Sequence, residues 1–167
     1  TITAFAGENI GGLLGNNSGT LTAGYNTGVV DAGQSRNVGG IAGTNSGTLD
    51  QVFNSVVTVT KTETGATDAN GRKLYNYTYT DGGAISGASN VGGIVGSNTA
   101  EGQLSNAYST TAVAGASNVA NIVGSNAGQV SNIYGYAATR KTNVTTVNGV
   151  TVRNSYIIKQ DGTQQNG

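Results

Sequence analysis

The sequence repeats itself, and no other property constrains its fold as much. The heptapeptide NIGGLLG at 9–15 returns as NVGGIAG at 37–43, NVGGIVG at 90–96 and NVANIVG at 118–124. The starts lie 28, 53 and 28 residues apart, and 53 is one 28-residue period interrupted by a 25-residue insertion. A period in this range marks stacked copies of one supersecondary unit, because a single unit cannot bury its apolar side alone.

The likeness continues past the glycines. A second asparagine follows eight residues after the first, at Asn17, Asn45, Asn98 and Asn126, and a small turn follows it. The third copy lengthens that turn by two residues. An aliphatic residue comes next, with an aromatic one four positions later: Leu21 and Tyr25, Leu49 and Phe53, Leu104 and Tyr108, Val130 and Tyr134. A third apolar patch closes the first three units at 29–30, 56–57 and 112–113. Each unit therefore offers three short β segments between Gly/Asn turns, and no 3.6-residue period appears anywhere.

Composition agrees with a β-rich, turn-rich chain. Gly, Asn, Thr and Ser supply 84 of the 167 residues, while Val, Ile, Leu and Phe reach about a fifth, lean for a conventional core. Disorder would call for high net charge as well, and the formal charge is zero.

These features predict an all-β fold, a parallel β-solenoid (β-helix) with about 28 residues per coil and β-hairpin extensions. Equivalent residues would then stack at the 4.7–4.9 Å strand spacing. Twenty-eight residues suit a three-sided coil whose aliphatic side chains, Ile94 among them, form internal stacks, with Ser105 outside. Asn17, Asn45, Asn98 and Asn126 would form a structural ladder at one corner, where asparagine tolerates left-handed backbone angles and its amide can bond to the coils above and below. Leu13 and Leu14 cannot both face inward on a regular strand, which predicts a bulge.

The run Val-Gly-Gly-Ile-Val-Gly-Ser-Asn at 91–98, followed by Gly102, Leu104 and Tyr108, resembles the GLUG motif of large secreted bacterial surface proteins, including adhesins of the filamentous-haemagglutinin and autotransporter kinds. The resemblance covers residues 9 to about 138. It implies a β-helical passenger exported by a Gram-negative bacterium and, with no initiator methionine or signal-peptide pattern here, an internal piece of a longer chain. It implies no activity, since such repeats also occur in proteins that carry protease domains elsewhere. The last copy departs from the pattern, with Ala120 and Asn121 in place of the two glycines.

The organisation expected is solenoid coils over 1–138, a second hairpin or cap over 139–159 and a frayed tail over 160–167. Residues 57–81 interrupt the coils. Their two alternating arms around a Gly/Asp/Asn tip read as an inserted β-hairpin. Tyr75, Tyr77 and Tyr79 share one face of it, with Arg72 and Lys73 near the tip. These five are the candidate ligand-binding residues, since phenols in a row can stack on sugars; the alternative is that the tyrosines anchor the hairpin to the solenoid wall. After Tyr136, a segment running from Asn143 through Asn148 and Gly149 reads as the second hairpin, or as the start of an elaborated coil.

Several chemistries are excluded or disfavoured. The chain has no His, Cys, Met, Trp or Pro, so imidazole bases, thiol nucleophiles, disulfides and soft-metal ligands are missing. Glu8, Asp31, Asp50, Asp81 and Glu101 do not recur at one unit position, which argues against the carboxylate cluster of a polysaccharide-processing β-helix enzyme. The stretch 68–71 faintly resembles a calcium loop but lacks the ligand spacing. No cofactor, metal or catalytic residue is implied, and without a basic stripe neither nucleic acid nor membrane insertion is expected. The function expected is that of an internal stalk and presentation segment of a secreted, cell-surface bacterial adhesin, binding a host or bacterial surface glycan or protein. The alternative is a purely structural spacer, and an enzyme comes third.

Overall fold

The computed structural model describes residues 1–81, 84–136, 142–146, 150, 152–158 and 163–166; at 57–59, 78–81 and 164 it describes the backbone alone. Every described residue lies in a strand, bridge, turn, bend or irregular segment, and none is helical. The fold is all-β, built mainly from parallel strands.

Each of the first three repeats contributes to four sheets in turn, and the fourth contributes to the first three of them among the described residues. Sheet 1 pairs Glu8–Gly11, Arg36–Gly39, Ser89–Gly92 and Ser117–Ala120. Sheet 2 pairs Leu14–Asn17, Ala42–Asn45, Val95–Asn98 and Val123–Asn126. Sheet 3 carries the aliphatic and aromatic positions, with Leu21, Leu49, Leu104 and Val130 in register and Tyr25, Phe53, Tyr108 and Tyr134 in register. Sheet 4 pairs Ile2–Thr3, Val30–Asp31, Ala84–Ser86 and Ala112–Ala114. All these pairings are parallel, and they join residues one sequence repeat apart.

The core is double. Ile41, Ala42, Leu49, Ile94, Val95, Leu104, Ile122 and Val123 pack between sheets 2 and 3. Val30, Val38, Ile85, Val91 and Val113 pack separately between sheets 4 and 1. Four sheets around two cores replace the expected three-sided coil, because the Gly-Gly bend turns the chain sharply between sheets 1 and 2. A Cβ on Gly40 would lie 2.1 Å from the Gly93 carbonyl oxygen and 2.6 Å from Asn54 Cγ, so only glycine fits. At the pair where a bulge is expected, Leu13 is 46% exposed and Leu14 half-buried, and both amides donate to the Ile41 carbonyl at 3.0 Å; the next repeat shows the same geometry. Ile41 sits on the bend and Ala42 begins the strand, both fully buried, and both amides donate to the Ile94 carbonyl, at 2.9 and 3.0 Å.

The fourth copy changes residues at this waist without changing the packing scheme. In the first three units the second glycine faces Asn26, Asn54 or Ser109. In the fourth, Asn121 takes the glycine position, and the residue facing it is Gly135, whose added Cβ would meet Asn121 Cβ at 2.7 Å. The large and small partners have exchanged sides.

Asparagines fill two distinct roles. Asn17, Asn45, Asn98 and Asn126 are buried, and their amides form the expected ladder: each of the first three donates Nδ2 to the next Oδ1 at 2.8 Å. Their backbones are ordinary strand. The left-handed angles expected of them belong instead to Asn9, Asn37, Asn90 and Asn118, with φ of 59°, 54°, 51° and 50°, and to Asn106, Asn132 and Asn154. These asparagines form outer ladders of their own, in which Nδ2 donates to the Oδ1 of the preceding repeat. A shorter inner ladder joins Asn26 to Asn54 at 2.9 Å and stops at Ser109, leaving Asn54 Nδ2 buried without an acceptor among the described residues.

Three expectations about boundaries change, and one about exposure. The third apolar patch of the second unit is divided: Val56 is buried in the second core, but the hairpin leaves at Val57 and Ala84–Ser86 supplies the strand of sheet 4, placing Ile85 beside Val30 and Val113. The described parts of the segment after Tyr136 join the sheets, as in the elaborated alternative to a second hairpin. Val144–Thr146 joins sheet 2 and Val152–Ile158 joins sheet 3, each in parallel, so that Tyr156 stands beside Tyr134. The Asn148 and Gly149 turn lies outside the described residues. The tail contains a strand, Gln164–Asn166, which pairs antiparallel with Val152–Ile158 and covers the edge of sheet 3. Ser105 is half-buried and donates its hydroxyl to Asp50 at 2.6 Å.

Ile94→Asp places an unpaired charge in the first core and is expected to lower stability by about 4 kcal/mol or more, whereas Gln103→Asp on the exposed face should change it by less than about 0.5 kcal/mol. Thermal melts of the two variants decide this, and equal midpoints would remove Ile94 from the core. Ser109→Asn extends the inner ladder and supplies Asn54 with its missing acceptor. A gain of about 1 kcal/mol, or a midpoint raised by about 2–4 °C, is expected.

Candidate functional site

Two surfaces depart from the repeat's structural routine. The first is the hairpin Val57–Thr67 and Lys73–Asp81, antiparallel with Glu63 opposite Tyr75, Lys61 opposite Tyr77 and Val59 opposite Tyr79. Val57 and Asp81 are direct partners, so the excursion starts and ends at neighbouring points.

The tip is a self-contained turn. The Asp68 carboxylate accepts the backbone N–H groups of Asn70 and Arg72 at 2.8 and 2.9 Å, and Gly71 supplies a φ of 76°. The faint calcium-loop signal is thus accounted for by turn chemistry at Asp68. Lys73 pairs with Glu63 at 3.0 Å, which leaves Arg72 as the cation of the tip with no carboxylate partner among the described residues.

Of the tyrosines, Tyr77 is 53% exposed and Tyr75 is half-buried. Lys61 explains the difference, since its Nζ lies 3.7 Å from the Tyr75 ring centroid and 6.0 Å from that of Tyr77. The Tyr79 side chain lies outside the described residues. Every side-chain hydrogen bond and ring contact described for the hairpin is internal to it. Four of the five candidate residues, Arg72, Lys73, Tyr75 and Tyr77, are therefore grouped on one projecting element, although Lys73 is engaged by a carboxylate and Tyr75 by an ammonium.

The second surface is the outer face of sheet 3. The aromatic position of each unit projects there, and the rings stack: Tyr25 on Phe53 at 5.1 Å, Phe53 on Tyr108 at 4.9 Å, and Tyr134 on Tyr156 at 5.3 Å. Beside this row run Asn106, Asn132 and Asn154, held outward by their left-handed backbones. Asp50 ends the amide row. Hydrogen bonds from the Ser105 hydroxyl and the Asn106 amide hold its carboxyl below the usual carboxylate range. That small stabilisation is present at neutral pH and disappears as pH falls through the depressed value.

The sequence showed the recurring aromatic residue, and a further sign of its role was legible: aliphatic-x-Asn-x-Tyr occurs at 104–108, 130–134 and 152–156. The last copy escapes a search at period 28 because it follows its predecessor by 22 residues. Among the described residues no group of three acidic side chains is placed to hold a metal ion.

No family model matches the chain, and no curated protein or solved structure is significantly similar to it.

Lys61→Ala is expected to uncover Tyr75. Nitration mapped by mass spectrometry should find Tyr77 more reactive than Tyr75 in the parent chain and the two nearly equal in the variant; an unchanged ratio would show that the ammonium does not shelter the ring.

Proposed function

We propose that the chain is a parallel β-solenoid of about 28 residues per coil, serving as an internal stalk and presentation segment of a secreted bacterial adhesin. The observation that carries the solenoid reading is the register. Sheets 1 to 4 are joined in the same order in successive repeats, and paired residues differ by one repeat at Asn17 and Asn45, at Asn26 and Asn54, and at Asn98 and Asn126. Stacked coils give each coil a full set of backbone and side-chain partners, which makes a stiff rod from a chain with few large apolar residues.

The presentation role rests on the hairpin. It leaves and rejoins the repeat at paired residues, and its described side-chain contacts stay within it. It carries an exposed Tyr77 and Arg72, a combination enriched at recognition surfaces. The ligand would be a glycan or protein on a host or bacterial surface, and the location the outside of a Gram-negative cell, as the GLUG resemblance implies. A spacer without ligand is the second reading; the closure of the tip on Asp68, which satisfies the turn internally, favours it.

Replacing 57–81 by a short Gly/Ser link tests both parts, because it restores the period while the insertion costs little to remove. The variant should keep the circular-dichroism spectrum and melting transition of the parent and lose adhesion to cells or immobilised glycans, as should Tyr77→Ala. An unfolded deletion variant would defeat the view of the hairpin as an appendage. A folded variant that adheres normally would take presentation away from it.

A further inference from the structure

We infer that the outer face of sheet 3, at Tyr108 and Tyr134, is a binding site for a neutral oligosaccharide. The stacked row of aromatics presents mostly ring edges, since each ring covers the face of the next, with interplanar angles of 7° and 2° in the first two stacks. The row is interrupted at one place. Tyr108 and Tyr134 are direct register partners on paired strands, yet the series of face-to-face stacks breaks between them. Tyr108 uses one face on Phe53 and Tyr134 uses one on Tyr156, so each keeps a second face, and the two residues are 42% and 41% exposed.

Clefts open on both sides of this pair. One of about 280 Å³ is bounded by the two tyrosines with Thr110, Tyr136 and Ile158, and its exposed wall is apolar. The other, about 360 Å³, lies between the same tyrosines and Asn106 and Asn132. Each is on the order of ten times the ~30 Å³ share of a water molecule, room for a sugar ring.

The chemistry of the walls selects the ligand. A pyranose has an apolar C–H face suited to a phenol face and hydroxyls at its rim suited to amides. The amides are present in a row. Asn106 donates to Asp50, Asn132 to Asn106 and Asn154 to Asn132, which occupies one N–H of each and leaves the second directed outward at the strand spacing of about 4.8 Å. Charge argues the same way. Among the described residues no cation lines the two clefts, and the Asp50 carboxylate closes the amide row at one end, which disfavours an anionic polymer. This site is separate from the hairpin and holds for an adhesin or a spacer alike.

The test uses the whole chain, whose emission comes from tyrosine because it has no Trp. Cellohexaose, maltohexaose and chitohexaose are titrated at millimolar concentration by calorimetry and tyrosine fluorescence, with hexagalacturonate as the anionic comparison. At least one neutral hexasaccharide should bind and change the emission. Tyr108→Ala and Tyr134→Ala should each weaken it by about tenfold or more, Tyr134→Phe should bind as the parent does, and Tyr77→Ala on the hairpin should have no effect. Thr110→Trp, which fills the apolar cleft without removing a tyrosine, should block binding even if an alanine variant proves unstable. The inference is overturned if no neutral hexasaccharide binds, if only the galacturonate binds, or if Thr110→Trp binds normally. Loss of binding in Tyr77→Ala with retention in Thr110→Trp would also overturn it, and would assign the sugar to the hairpin.

Discussion

A buried side-chain amide must find its partners inside the protein, and here the nearest suitable partner is the same residue one repeat away. Asn45 Nδ2 lies within bonding distance of Asn98 Oδ1 at 2.8 Å and of the Gly47 and Gln103 carbonyl oxygens at 3.2 Å. An amide left unpaired at such a site costs about 1–3 kcal/mol. A slip of one residue would break this inner ladder and the outer ones together and would turn the aliphatic positions outward. The ladders therefore specify register as well as adding stability, which matters in a chain of short strands with little hydrophobic surface to align them.

Glycine makes the ladders reachable. The bend between sheets 1 and 2 brings backbone against backbone, so that a Cβ on Gly96 would lie 2.3 Å from the backbone at Asn37 and Val38. That close approach divides the interior into two cores. The exchange of Asn121 with Gly135 follows the same logic: the waist tolerates one asparagine across from one glycine, whichever side each occupies. The third unit is smaller there, with Ser109 across from Gly93.

Such an interior leaves little variation available within the stack, so surfaces able to bind a partner lie outside it. The hairpin is one, with its own turn and its own lysine over tyrosine contact. The aromatic row of sheet 3 is the other. Its rings stack because parallel in-register strands place equivalent positions at a spacing close to the centroid distance of offset-stacked rings, and the interruption at Tyr108 and Tyr134 turns a structural row into a surface with free ring faces.

The sequence by itself determined the parallel, all-β character, the repeat period, the buried amide ladder at Asn17, Asn45, Asn98 and Asn126, and the inserted hairpin, because each of these is written as a recurrence or an alternation along one chain. What only the tertiary structure decided depends on distances between residues that no local pattern relates. Asn9 and Asn17 look equivalent in sequence, yet one takes a left-handed backbone and the other a buried amide. Val57 reads as a core position, yet Ile85 holds that place once the hairpin has returned. Tyr156 follows Tyr134 by 22 residues and still stacks on it, since a shortened connection alters spacing in sequence without altering the strand that receives the residue. Whether an aromatic residue stacks on its neighbour or leaves a face free is settled by side-chain packing across strands, which the order of residues along a single strand does not encode.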